Sequence, residues 1–116
     1  TVMADVTPRM RLVCEEVFGP VVSVLPYDDV DEVLAAVNDT PFGLQAGLFT
    51  GSLDVALRAL RTIRTGTVVI NGPSRWRVYH MPYGGGKASG WGREGPRYSV
   101  EDMTEERLLV LGLAGR

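Results

Sequence analysis

The 116-residue chain reads as an α/β protein with a largely parallel sheet and flanking helices. Two observations predict this. Short β-branched runs alternate with stretches of helical apolar period, in the order strand, helix, strand, helix, strand. The connections are also short, and a helix between successive strands favours parallel pairing. A third observation sets the last part of the chain apart. From residue 72 onward the periodicity stops, and Gly, Pro and aromatic residues take over.

The run VVSVLPY (21–27) is β-branched and ends at a proline, so it predicts a strand. In the next segment Val30, Val33, Leu34 and Val37 fall at i, i+3, i+4 and i+7, one face of a helix. Asp28 or Asp29 is placed to cap it, and Asn38, Pro41 and Gly43 mark its end. LQAGLFT (44–50) is a second strand. Ser52 caps a second helix, with Leu53, Ala56, Leu57, Leu60 and Ile63 on the expected buried face. Arg58, Arg61 and Arg64 lie toward its C-terminal end, where cations offset the dipole. Gly66 suits a left-handed position just past that end. TVVIN (67–71) is a third strand, VEDMTEE (100–106) a brief helix, and RLLVLGL (107–113) a closing strand. Residues 1–87 and 88–116 divide into a main α/β part and a Gly-rich crossing with its helix and strand.

Bulk chemistry excludes several classes. Hydrophobic residues make up 45% and charged residues 22%, ordinary values for a globular protein. A net charge of −2 gives no electrostatic pull toward nucleic acid or an acidic membrane surface. No apolar run approaches the length of a membrane span. One cysteine cannot form an internal disulfide, which fits a reducing, cytoplasmic setting. The chain opens without an initiator Met or a signal-peptide layout, which suggests a piece of something longer.

Five large aromatics, counting His80 with Trp76, Tyr79, Tyr83 and Trp91, stand in residues 72–97 and argue for an ordered functional loop. Several chemical signals elsewhere are weaker than they look. Cys14 would need a helix N-terminus or a nearby cation to act as a nucleophile. Glu15 and Glu16 supply the opposite charge, and Pro20 with the β-branched run argues against a helix there. Residues 90–95 match G-x-G-x-x-G in spacing, yet no βαβ unit frames them and Pro96 follows directly. Lys87 lacks the surrounding residues of a phosphate-binding loop. His80 is the lone histidine, with no Cys or His partner at metal-ligand spacing, so no metal is expected. Glu15 and Glu16 would face opposite sides of an extended chain, and Phe18 would share the side of Glu16. A carboxylate suits the two neighbouring hydroxyls of a ribose, and an aromatic packs on a flat ring.

Five segments occur in a familiar order: EEVFGPV, NDTPFGLQAGLFT, GTVVIN, MPYGGGKASGWGREG and YSVEDMTEER. Together they resemble the C-terminal part of an NAD(P)-dependent aldehyde dehydrogenase, over residues 1 to about 111. The resemblance implies part of that family's catalytic domain, followed by an oligomerisation strand at 107–113. It implies an oxidation of an aldehyde to a carboxylic acid with NAD or NADP. Glu16 then holds the nicotinamide ribose and Phe18 contacts the nicotinamide side. Tyr83 lines the aldehyde tunnel, and the loop from Ser74 to His80, with Arg77, shapes substrate choice. RVYHMPYGG looks like the branch acting on small hydroxy-aldehydes or semialdehydes, although Tyr79 replaces an acid common there. The family's catalytic cysteine and general-base glutamate match positions upstream of EEVFGPV. The resemblance therefore assigns no catalytic residue to this chain and implies that it is inactive alone. The implied partners are a small aldehyde and further copies of the chain. The rival reading is an inactive truncated homologue that acts as an interaction module.

Overall fold

The computed structural model describes residues 1–112. Among the described residues, six short strands and four helices follow one another: β1 (Val2–Met3), α1 (Arg11–Cys14), β2 (Val22–Ser23), α2 (Val30–Asn38), β3 (Phe42–Gly43), β4 (Gln45–Leu48), α3 (Leu53–Thr62), β5 (Thr67–Ile70), β6 (Gly86–Lys87) and α4 (Pro96–Met103). The strands form three pairs. β1 runs parallel to β2, β4 runs parallel to β5, and β3 runs antiparallel to β6. The expected α/β architecture with mostly parallel pairing is present, and β4–α3–β5 is its regular unit. In that unit Gln45 stands opposite Thr67 and Leu48 opposite Ile70.

The helix starts are those that capping chemistry dictates. The Asp29 carboxylate accepts from the amides of Asp31 (2.7 Å) and Glu32 (3.0 Å), and Asp31 and Glu32 place negative charge in the first turn. The Ser52 hydroxyl accepts from the Val55 amide at 3.3 Å. α2 and α3 pack on each other, with Leu34 buried on the first and Ala56 and Ala59 on the second. An ion pair from Arg58 to Asp31 (3.3 Å) also joins them.

The expected inner face of α3 needs correcting. Leu53 is 73% exposed and Leu57 and Leu60 are exposed as well, while the buried positions are Ala56 and Ala59. Ala56 and Ala59 carry the close packing against the neighbouring elements, and the leucines stand on an adjacent face of the helix that nothing among the described residues covers. The helix at 100–106 also differs, because it begins at Pro96 and ends at Met103. A proline at the first helical position loses nothing, since its missing N–H would have no intrahelical acceptor there. Of the expected strand at 107–113, residue 113 lies outside the described residues. Residues 107–112 make no ladder among the described residues, because no neighbouring strand reaches them.

The Gly-rich crossing is tied to the helices by one lysine. Lys87 Nζ donates to the carbonyls of Asn38 (2.9 Å) and Thr40 (3.1 Å) at the end of α2. The Asn38 side chain donates to the Thr62 carbonyl (2.8 Å) and accepts from the Arg64 amide (2.7 Å), which joins the ends of α2 and α3. Lys87 adopts φ of 54° to make these contacts, a conformation that a non-glycine residue takes only when its surroundings hold it there.

Candidate active site

The acidic pair is sorted by geometry. α1 is one turn long, and Arg11 grips Glu15 across it through Nε to Oε1 (2.9 Å) and Nη2 to Oε2 (2.8 Å). This i,i+4 pair supports a helical turn at a place where the sequence argued against one. The Arg11 guanidinium holds the Glu15 carboxyl below its ordinary pKa, and the carboxylate in turn raises that of Arg11. Glu15 is therefore occupied. Glu16 makes no side-chain hydrogen bond or ion pair among the described residues, and it borders a cleft of about 570 Å³ walled also by Thr40, Phe42 and Ser89. Cys14 ends α1 and borders the same cleft, but its thiol donates to the Pro8 carbonyl at 2.9 Å.

Phe18 stands apart from that cleft. The Gly19 amide donates to the Val17 carbonyl (2.9 Å), and the Val21 amide to the Gly19 carbonyl (2.8 Å). These i to i+2 bonds make two successive three-residue turns, centred on Phe18 and Pro20. The chain is not extended here, so the alternation that put Phe18 beside Glu16 does not hold. The Phe18 ring is 96% exposed.

Tyr83 lines a second cleft of about 440 Å³ with Arg93, Glu94 and Asp102. Leu44 and Ser89 border both clefts, so the two adjoin. Ser89 sits at this junction because its hydroxyl accepts from the Gly43 amide at 2.9 Å. Tyr83 and Glu94 exchange both main-chain hydrogen bonds. Arg77 closes the group. Its guanidinium carbon lies 4.1 Å from the Tyr83 ring centroid, and its Nη1 lies 3.3 Å from Glu94 Oε2. A cation held over an aromatic face by a carboxylate is a preorganised arrangement, although one exposed enough to be screened by salt.

Two of the three expected substrate residues, Arg77 and Tyr83, thus come together. His80 is exposed and lies outside the wall of the Tyr83 cleft. Sequence reading missed Glu94 and Ser89. Glu94 meets Arg77 across 17 residues of chain, and no local pattern reports such a contact. Ser89 lies in the Gly-rich segment, where no periodicity marks an inward face.

The chain matches known proteins over nearly its whole length. It is 51% identical over 113 residues to the 3-sulfolactaldehyde dehydrogenase of Priestia aryabhattai, covering 97% of this chain and 24% of that protein. It is 45% identical to the betaine aldehyde dehydrogenase of Cereibacter sphaeroides, covering 97% of this chain and 23% of that one. Among solved structures it superposes on aldehyde dehydrogenase 21 of Physcomitrella patens, in complex with succinate, with a TM-score of 0.90 and 40% identity, over 98% of this chain and 24% of that one. It also superposes on the NAD+ complex of a Bacillus cereus aldehyde dehydrogenase with a TM-score of 0.83 and 40% identity, over 90% and 21% of the two chains. The chain spans about a quarter of the length of these relatives. The model of the aldehyde dehydrogenase family matches residues 1–109, and this chain belongs to that family.

Proposed function

We propose that these residues serve an NAD(P)+-dependent oxidation of a small aldehyde to its carboxylic acid, within a longer polypeptide that supplies the nucleophile. The observation that carries this reading is an unclaimed carboxylate, Glu16, at a cleft adjoining the one lined by Tyr83. The residues fit a ribose. Glu16 offers two acceptor oxygens to a pair of neighbouring hydroxyls, and Phe18 offers an uncovered ring for a flat partner. Bound NAD or NADP supplies the hydride acceptor. Arg77 and Tyr83 form the aldehyde side, with His80 further along the same loop and outside the cleft wall. With Arg75 nearby, that side favours a small anionic or hydroxylated aldehyde, in line with the substrate named for the sulfolactaldehyde relative.

The exposed apolar surface supports a role inside something larger. The chain extends 80 × 34 × 23 Å with a radius of gyration of 20.4 Å, against roughly 13 Å for a compact domain near this length. Leu108, Leu109, Val110 and Leu111 are all at least three-quarters exposed. Residues 107–113 serve as a pairing strand for a second copy of the chain, because an open apolar edge invites a neighbour. The same exposure favours a second reading, an inactive truncated homologue that docks on complete subunits. The reading frame upstream of Thr1 discriminates: a continuous frame with a cysteine and a glutamate in family context supports the enzyme. We place the protein in the cytoplasm on its single free thiol.

Two substitutions in the complete enzyme test the two halves of the site. Phe18→Ala should weaken NAD(P)+ binding about fivefold by calorimetry, the loss of roughly 1 kcal/mol of ring packing. Unchanged cofactor affinity would remove Phe18 from the site. Tyr83→Ala should change the ranking of aldehydes by kcat/KM, and an unaltered profile would remove Tyr83 from the tunnel wall.

A further inference from the structure

The loop that carries Arg77 and His80 leaves β5 at Asn71 and crosses back over β4. One face of β4 is built to receive it. Gln45 and Gly47 are two residues apart in a strand, so they present the same face. At Gly47 the loop passes so close that a Cβ would stand 2.8 Å from the Gly72 carbonyl oxygen and 3.0 Å from the Ser74 nitrogen. At Gln45 the side-chain amide reaches the same loop further along, and Nε2 donates to the Trp76 carbonyl at 2.7 Å across 31 residues of chain. The remaining bonds of residues 72–81 are of two kinds. The loop is folded on itself through Trp76 to Pro73 (3.0 Å) and Met81 to Val78 (3.2 Å), and Arg77 is held by Glu94. Among the described residues Gln45 is the one side chain of a regular element that hydrogen-bonds this loop. An amide nitrogen is the only end of a glutamine that can pair with a carbonyl, so the orientation is set by chemistry.

From this juxtaposition we infer that Gln45 is a positioning residue for aldehyde choice: it latches the 72–80 loop onto β4 and so sets where Arg77 stands over Tyr83. The inference rests on the reading that this loop shapes the aldehyde side of the site. Gly47 leaves the space and Gln45 makes the tie. Arg77, one residue beyond the tied carbonyl, is thereby delivered to the Tyr83 ring and to Glu94.

The test uses the complete enzyme and Gln45→Met, which keeps the side-chain length and the neighbouring cleft wall but removes the donor. Loss of one net hydrogen bond, about 1 kcal/mol, should raise the aldehyde KM about fivefold and narrow the spread of KM across aldehydes. The cofactor KM and kcat should each move less than about twofold, a split that general destabilisation would not produce. Limited trypsin digestion read by mass spectrometry should show faster cleavage after Arg75 and Arg77. Gly47→Ala, which pushes the same loop off the same face, should reproduce both effects. Unchanged cleavage in Gln45→Met overturns the latch. Faster cleavage with an unchanged aldehyde KM overturns its role in substrate choice. Arg77→Gln then separates the two levels. If it changes the aldehyde profile, the loop does select substrate and only the Gln45 inference fails. If it does not, the reading of the loop fails with it.

Discussion

Replacing Gly66 with alanine should lower the thermal midpoint of the complete enzyme by about 3 °C or more, or prevent its folding, a loss of about 3 kcal/mol or more. The cause is backbone meeting backbone. A Cβ on Gly66 would overlap the Gly84 carbonyl, lie 2.8 Å from the Gly84 carbonyl carbon and come within 3.1 Å of the Leu44 carbonyl oxygen. None of these atoms belongs to a flexible side chain that can turn away. Gly66 also donates its amide to the Gly43 carbonyl at 3.1 Å, so it cannot back off without losing that bond. The displaced residues are those around the site, since Gly84 follows Tyr83 and Leu44 borders both clefts. Gly51→Ala is the control, because nothing lies within 4 Å of its added carbon. A midpoint for Gly66→Ala equal to that of Gly51→Ala would show that the crossing is looser than its geometry states.

Exchanging Glu16 for glutamine should reduce turnover about a hundredfold while aldehyde capture changes little. The amide has the size of the carboxylate, so the cleft keeps its shape. It has no charge and only one acceptor oxygen, so it cannot take hydrogen bonds from two neighbouring hydroxyls with both of its ends. Charge-assisted bonds to such hydroxyls are worth about 1.5–3 kcal/mol, and a reacting ring displaced by about an ångström can cost a hundredfold in rate. The measurement is the single-turnover rate of NAD(P)H formation at saturating cofactor. An unchanged rate would mean that Glu16 does not position the ribose. Glu15→Gln makes the comparison sharp. Glu15 is already paired bidentately with Arg11, so its loss should leave that rate within about twofold.

Much of the fold was legible because its causes are local. Asp29 and Ser52 cap their helices as short polar residues do before an apolar period. The β-branched TVVI pairs with QAGL in register across a helix-length connection. The errors share one source. The leucines of α3 have the spacing of a buried face, yet close packing through Ala56 and Ala59 took that place. Gly66 was read as a left-handed cap. In the structure α3 ends in the extended residue Ile63, and Gly66 is needed for the approach of Gly84 instead. At Phe18, periodicity assumed an extended chain where two tight turns intervene.

By itself, then, the sequence determined the central order β2, α2, β4, α3, β5, singled out Glu16, Arg77 and Tyr83 as candidates, and carried the family resemblance. Composition, capping and apolar period act between residues a few positions apart. Which of two adjacent glutamates is free turned on a local i,i+4 pair: the one-turn helix α1, which Pro20 and the β-branched run argued against, lets Arg11 claim Glu15. Only the tertiary structure decided that Arg77, Tyr83 and Glu94 form one group, and that Gln45 ties down the loop carrying Arg77. Those contacts span up to 31 residues of chain. Their partners are chosen by where the backbone crosses itself, which no local pattern of side chains encodes.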